Sequence, residues 1–318
     1  MIFHKKLYII MFACACTYAL AHAEEKIETM PFGNFDSWAT RYIKESFILG
    51  GETKAHYSIG PRETIQGPTP LPKRGNSPWG TSNAYAKVLG VETVTVPVTP
   101  EKRGNGYCCR METKLHQIGA IGINFNAVAT GSVFTGVAAD PMTSEFTTDP
   151  RAAINMGVPF RKRPVALMLD YKAKILNGEV TYANGTTVTK RPNEHDAAQI
   201  ILLLQHRWEE NGRIFAYRVG TATERINKST PNWVNNHRLD VRYGDITTTP
   251  DYKPWEALSR KTHKARNKSG RMVFVEEKGF RADVEPTHII IMISSGCLPP
   301  FTGCVGNTLW VDNIRLVY

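Results

Sequence analysis

Val165, Leu167, Leu169 and Tyr171 alternate with Asp170, Lys172 and Lys174. A spacing of two is that of an extended strand with one buried face, and a helix does not produce it. Ile200 to Leu204 and His288 to Ile293 are continuous apolar runs, which predict strands covered on both faces. Asn184-Gly185 and Asn211-Gly212 are two-residue hairpin signals. Nineteen prolines and 25 glycines punctuate the chain often enough for many short strands. One short helix is expected: Asp149 can cap it, Pro150 suits its first turn, Arg151 to Met156 continue it and Gly157 supplies the left-handed exit. Strands do not alternate with long amphipathic helices, which argues against a parallel α/β sheet. The pattern is that of an all-β sandwich or barrel. The Pro/Gly-rich stretch from Gly60 to Gly80 reads either as a linker or as an ordered surface loop carrying Trp79. A single domain is expected after the leader.

The start of the chain predicts export. Lys5 and Lys6 precede an uncharged apolar run from Leu7 to Leu20, and Ala21-His22-Ala23 puts small residues at the two positions signal peptidase reads. Residues 1–23 are therefore read as a signal peptide and 24–318 as the mature chain, in the periplasm, at the cell surface or secreted. The run is shorter than the ~20 residues of a membrane span, so no transmembrane segment is expected. Lipidation at Cys14 or Cys16 is the other reading, but the residues before each match a lipobox poorly. The leader carries two lysines and no acids, so the formal charge falls from +10 to +8 on cleavage. Basic residues gather at Arg161-Lys162-Arg163 and across Arg260 to Arg271. Without interleaved aromatics these read as solvated loops, not a nucleic-acid track. An acidic polysaccharide is the alternative partner for them.

Four cysteines remain after cleavage, Cys108, Cys109, Cys297 and Cys304. They are too few for a disulfide scaffold on this length. In a strand from Gly106 to Glu112, Cys108 and Cys109 face opposite ways and are not expected to bond each other. Cys297 and Cys304 are expected to form a disulfide across Leu-Pro-Pro-Phe-Thr-Gly. No zinc spacing, G-x-S-x-G, H-E-x-x-H or complete dinucleotide fingerprint occurs. Glu209-Glu210 and Glu276-Glu277 are adjacent pairs whose members point to opposite faces, unlike the facing carboxylates of glycosidases. His195, in the polar turn Asn193-Glu194-His195-Asp196, reads as solvated.

Seven collinear segments resemble one family, the putative carbohydrate metabolism domain proteins exported by Bacteroides-type bacteria. They are GGETKAHYSIGP (Gly50 to Pro61), PWGTSNAYAKVLG (Pro78 to Gly90), RGNGYCCRMET (Arg103 to Thr113), GSVFTG (Gly131 to Gly136), GVPFRKRPVALMLDYK (Gly157 to Lys172), LLLQHRW (Leu202 to Trp208) and GNTLWVDNIRLVY (Gly306 to Tyr318). Two places depart from the family pattern: Cys109 stands at a small-residue position, and Cys297 to Cys304 replaces a Ser/Gly-rich loop. The resemblance implies a β-jelly-roll sandwich related to carbohydrate-binding modules, with one or two short helices, and no proven reaction.

A non-catalytic protein that binds oligo- or polysaccharide is the function expected. Trp79, Trp255 and Trp233 are the candidate sugar platforms, with Trp208 and Trp310 reading equally well as core. The alternative is a glycoside hydrolase or other glycan-modifying enzyme using loop acids such as Asp140, Glu145, Asp149, Asp245 and Asp251. A structural or adhesive surface protein is a third class. A structural calcium is also expected, held by Asp312, where the alternation of Leu309 to Tyr318 slips and a bulge would re-aim the side chain, and by Asp36 of Asn34-Phe35-Asp36-Ser37-Trp38. The other reading of Asp312 is a bond to a neighbouring turn. Mass spectrometry of the exported protein should find Glu24 at its N-terminus; a diacylated cysteine there would replace the cleavage reading.

Overall fold

A computed structural model of the protein describes residues 25–70, 75–88, 90–120, 123–143, 149–176 and 178–318. The signal segment and Glu145 lie outside the described residues. The alternating segment forms strand Ala166–Lys174, in a six-stranded sheet ordered Val234–Asp240, Ala166–Lys174, Thr308–Val317, Gly106–Glu112, Val98–Arg103, with Ile27–Thr29 paired to Thr308–Val317. The two apolar runs become Ala198–Glu210 and His288–Ser294, neighbours in a ten-stranded sheet. The protein is an all-β sandwich of these sheets, as the alternation predicts, with three smaller sheets beside them.

Between the two large sheets lies one apolar core. The six-stranded sheet contributes Leu167, Leu169, Leu309, Val311 and Cys109, and the ten-stranded sheet contributes Ile200, Leu202, Leu204, Ile289, Ile291 and Ile293. Each fully buried aliphatic side chain contributes roughly 2 kcal/mol. The intervening residues of the same strands point outward, yet Ile201, Leu203, Ile290 and Met292 are apolar too. They meet Phe134 and Met156 in a second cluster. The second face is covered because the ten-stranded sheet turns back on itself. Strand Ser132–Ala138 pairs with His288–Ser294 and, further along, with Ile154–Met156. Ile154–Met156 then reaches Lys264–Arg266 through Asn155 and Lys264, and so Met272–Phe280 and Arg213–Ile226. The hydrogen-bonded strands thus form a ring.

Local signals are met with small shifts. Asn211 and Gly212 both take positive φ in the hairpin between Ala198–Glu210 and Arg213–Ile226. The other hairpin turns one residue later than expected, on Gly185-Thr186, with Asn184 paired to Thr187. The expected helix is only one 3₁₀ turn, Pro150–Ala153, capped by Asp149, whose carboxylate accepts from Arg151 N at 3.2 Å. Ile154–Met156 leave it as a strand because they complete the edge of Ser132–Ala138.

Asp170 sits where strand Ala166–Lys174 faces one bulge on each side. Each neighbouring strand spends three residues against two of it, around Asn313 on one side and Asn236 on the other, both at φ 52°. Asparagine tolerates this left-handed conformation. The slip expected at Asp312-Asn313 is therefore present. The buried Asp170 carboxylate accepts from Asn236 N (2.8 Å), Asn313 Nδ2 (2.9 Å), Arg103 (2.9 Å) and Arg315 (3.2 Å). Burial alone would raise its pKa, but these bonds outweigh burial and hold the carboxyl below the usual range. Asp170→Ala is expected to cost about 3 kcal/mol, because the arginines lose their acceptor. It should show as a lower urea midpoint at unchanged slope; a loss under about 1 kcal/mol would mean that the bulges hold without it.

Candidate functional site

The outer face of the ten-stranded sheet forms the floor of a cleft of about 1260 Å³. Strand register arranges this floor in rows. Ser132, Ser294, Gln199 and Arg225 make a polar row. Phe134, Met292, Ile201 and Thr223 make the next, and Leu203 follows from a third whose other members, Ile290 and Thr221, are fully buried. Beyond these the register returns to polar residues, of which Arg218 lines the cleft and Gln205 is buried behind it as a partner of Glu277. Walls come from Trp255–Ser259 and Thr262–Lys264, from the loop Gly296–Phe301, and from parts of the small sheets, including His116 and Phe125. An apolar floor framed by hydrogen-bonding groups suits a ligand with both C–H faces and hydroxyls.

Most charges at the cleft are already matched. Arg218 and Glu277 form a fully buried ion pair, and Glu277 also accepts from Gln205 Nε2 (2.7 Å) and Ser259 N (2.7 Å). Desolvation would raise the Glu277 pKa, but Arg218 and these donors outweigh it and hold the carboxyl down. Glu256 is the carboxylate among the described lining residues. It is buried, pairs with Arg242, and accepts from Thr223 Oγ1 (2.6 Å) and Lys253 N (2.9 Å). Arg151 pairs with Asp149 at 3.0 Å. Arg225 has no ion-pair partner among the described residues. Its guanidinium lies 4.3 Å from the Trp255 ring centroid, and its Nε is buried without a hydrogen-bond partner. His263 is buried with Nδ1 equally unpartnered.

The predicted platforms are dispersed. Trp255 is 43% exposed and lines the cleft. Trp79 is 0% exposed, so its reading as a loop platform is corrected. It opens strand Trp79–Thr81, packs against Phe35 with centroids 5.9 Å apart, and donates Nε1–H to Pro31 O at 2.8 Å. Beside it, Gly80 leaves room for the Phe134 ring, which any Cβ would meet at 2.4 Å. Trp233 belongs to the other sheet, half-buried before Val234–Asp240, with the Arg103 guanidinium 3.9 Å from its ring centroid. Trp208 stacks with Tyr217 (4.9 Å) and Phe215 (5.7 Å) along the 198–226 hairpin.

The candidate loop acids do not converge. Asp140 binds buried Arg41, Asp149 caps its 3₁₀ turn, Asp245 accepts from Thr247, and Asp251 pairs with Arg242. His195 is exposed, as its polar turn predicts. Asp36 and Asp312 do not fit a calcium site either. Asp36 accepts from Tyr107 N (2.8 Å) and Asn34 Nδ2 (2.9 Å). Asp312 instead takes Arg103 at 2.6 Å, and the same guanidinium nitrogen bonds Asp170. That guanidinium supplies the positive charge where the two carboxylates meet. Among the described residues no group of three or more His, Cys, Asp or Glu is placed to hold a metal ion.

The Cys297–Cys304 disulfide is likewise corrected, since all four described cysteines are free thiols. A carboxylate closes this loop instead: Asp196 accepts Cys297 N on Oδ1 (2.9 Å) and Cys304 N on Oδ2 (3.2 Å). Gly296 and Gly303 allow the approach, because a Cβ on either would lie 2.7 and 3.3 Å from Asp196 Oδ2. Cys109 packs in the core, and Cys108 Sγ donates to Glu101 O at 3.4 Å.

The model of the putative carbohydrate metabolism domain family matches residues 56–317. The chain belongs to this family. A crystal structure described as a putative glycoside hydrolase from Bacteroides thetaiotaomicron is similar at 18% identity and a TM-score of 0.49, covering 88% of this chain and 71% of that one. No curated protein matches the sequence. The family match spans the strands of both large sheets that carry the cores, and nearly all of the cleft floor and walls.

Arg225, Glu256 and His263 were not singled out by sequence reasoning. His263 lies in the basic stretch read as solvated, where Ala265 and Asn267 are buried too. The signal was available in the strand pattern: Arg225 stands in the sequence Thr221-Ala222-Thr223-Glu224-Arg225-Ile226, whose alternate members Ala222 and Ile226 belong to the core.

Burial pushes the pKa of His56, His263 and His288 down to about 4 in each case. In the unfolded chain each returns to about 6.5. Between these values the unfolded state binds more protons, so stability falls as pH drops through the window and is fully present above it. The urea midpoint should hold steady above pH 7 and decline from about pH 6.5 toward 4. A flat profile from pH 7 to 5 would contradict this.

Proposed function

We propose that this protein is exported and binds oligosaccharide in the cleft of its ten-stranded sheet without cleaving it. The observation that carries the reading is the floor itself. An apolar row of Phe134, Met292 and Ile201, with Leu203 beyond it, lies beside the polar row of Ser132, Ser294, Gln199 and Arg225, with the half-exposed Trp255 on the wall. A sugar ring offers a C–H face to such an indole and floor, and its hydroxyls reach Gln199, Ser294 and Ser132 at the margin. Membership of a carbohydrate metabolism family supports the same ligand class.

The binding reading is favoured over hydrolysis by the state of the acids. Glycoside hydrolysis generally needs two carboxyl groups facing across the bond, one of them able to hold a proton. Arg218 and its other donors hold Glu277 in the charged form, and the Glu256 carboxylate is engaged by Arg242, Thr223 and Lys253. Spending either as an acid would break a buried ion pair. Their geometry serves to fix Arg218, Arg242 and the 254–264 wall.

Trp255→Ala should abolish or weaken oligosaccharide binding at least tenfold on a glycan array and in calorimetry, with the melting temperature nearly unchanged. Trp79→Ala, by contrast, should destabilise the fold by about 3–5 kcal/mol, as a buried aromatic truncation does. Reducing-end release from a bound glycan that disappears on replacing one carboxylate would overturn the non-catalytic reading.

A further inference from the structure

Arg225 is the feature of the cleft that folding leaves unexplained. It ends the polar row opposite Gln199, on a strand whose inward residues Ala222 and Ile226 are in the core. Arg225 is half-buried, and a guanidinium that loses part of its hydration is best satisfied by a counter-charge and acceptors. The other arginines that line the cleft have theirs: Arg218 has Glu277 and Arg151 has Asp149. Glu256, close along the wall, is held by Arg242. Arg225 has only the face of Trp255, its Nε is buried and unbonded, and no carboxylate among the described residues pairs with it. The lysine lining the cleft, Lys264, also lacks an ion pair among the described residues and lies over the Phe274 ring.

Buried His263, neutral at physiological pH, leaves a further polar atom of the cleft without a partner. Its Nδ1 is unpartnered, and its ring borders the same cleft. The cleft thus holds positive charge beside an aromatic ring and an apolar floor, and Glu256, the carboxylate among its described lining residues, is engaged by Arg242.

We infer that the Arg225–Trp255 pair is a subsite for a sugar bearing a negative charge, its ring against Trp255 and its carboxylate or sulfate on the Arg225 guanidinium. This rests on the cleft being the glycan site and goes on to name the glycan's chemical class. Stacking on Trp255 holds the guanidinium plane in place, so its N–H groups are pre-positioned for two oxygens of a planar or tetrahedral anion. A neutral sugar covers that charge without supplying a counter-ion, and discrimination follows from the difference.

The test uses the full mature chain and isothermal titration with three probes: oligogalacturonate, the same oligomer with its carboxyls reduced to alcohols, and a sulfated galactan oligosaccharide without uronate. At least one anionic probe should bind about tenfold or more tighter than the neutral one, the worth of a charge-assisted hydrogen bond. Its affinity should fall with added salt. Which anionic probe wins tells carboxylate from sulfate. Arg225→Gln should erase the preference, so that anionic and neutral probes bind with the same affinity, while an unchanged melting temperature shows the fold intact. Arg225→Lys, which retains charge but not the planar fork, should keep part of it. Neutral binding that Trp255→Ala removes, with no anionic preference, would overturn this inference and leave the glycan site standing. An anionic preference untouched by Arg225→Gln would overturn it as well. No binding of any probe, together with a silent glycan array, would remove both readings.

Discussion

Strands 198–210 and 288–294 are apolar on both faces, and water tolerates neither face uncovered. The inner face is satisfied by the six-stranded sheet. The outer face has no second large sheet to meet, so other parts of the chain must be recruited to it. That requirement accounts for the ring of strands, the 3₁₀ turn that delivers Ile154–Met156, and the walls drawn from the 254–264 and 296–301 segments. The cover is incomplete by design of its own geometry. Segments that approach from several directions leave a space between them, and that space is the cleft.

The acids of the chain are distributed by the same logic. Asp170 steadies two opposed bulges, Asp196 fastens a loop, and Glu277 and Glu256 anchor arginines beneath the cleft wall. Each of these carboxylates accepts bonds from segments far apart in the chain and so ties them together. What the cleft keeps in reserve is cationic and aromatic. The cleft presents an indole face, a guanidinium and a margin of amide and hydroxyl groups.

The sandwich was legible in the sequence because alternation and turn residues are local. Leu167, Leu169 and Tyr171 declare their face without reference to the rest of the chain, and the slip at Asp312-Asn313 declares its bulge. The doubly apolar runs were legible too, though not what would cover them. The site was mostly hidden. Trp79 and Trp255 both stand beside proline, yet one enters a strand under Phe134 and the other stays at a wall; the difference lies in Gly80 and in contacts far away in sequence. Asp36 and Asp312 looked like cation ligands because the residue that neutralises Asp312, Arg103, lies 209 positions upstream of it. Pairings of that separation are set by topology, which no local pattern records.

The loop 297–304 illustrates what such a substitution changes. A covalent bridge would tie the shape of this cleft wall to the oxidation state of its surroundings. Asp196 holds both ends through backbone N–H groups instead, and its seat depends on Gly296 and Gly303 lacking side chains. The shape of the wall is thus set by two backbone N–H bonds to one carboxylate and by the two glycines that let it approach. What would distort it is a single methyl group: alanine at position 296 would press on the carboxylate that the loop is hung from.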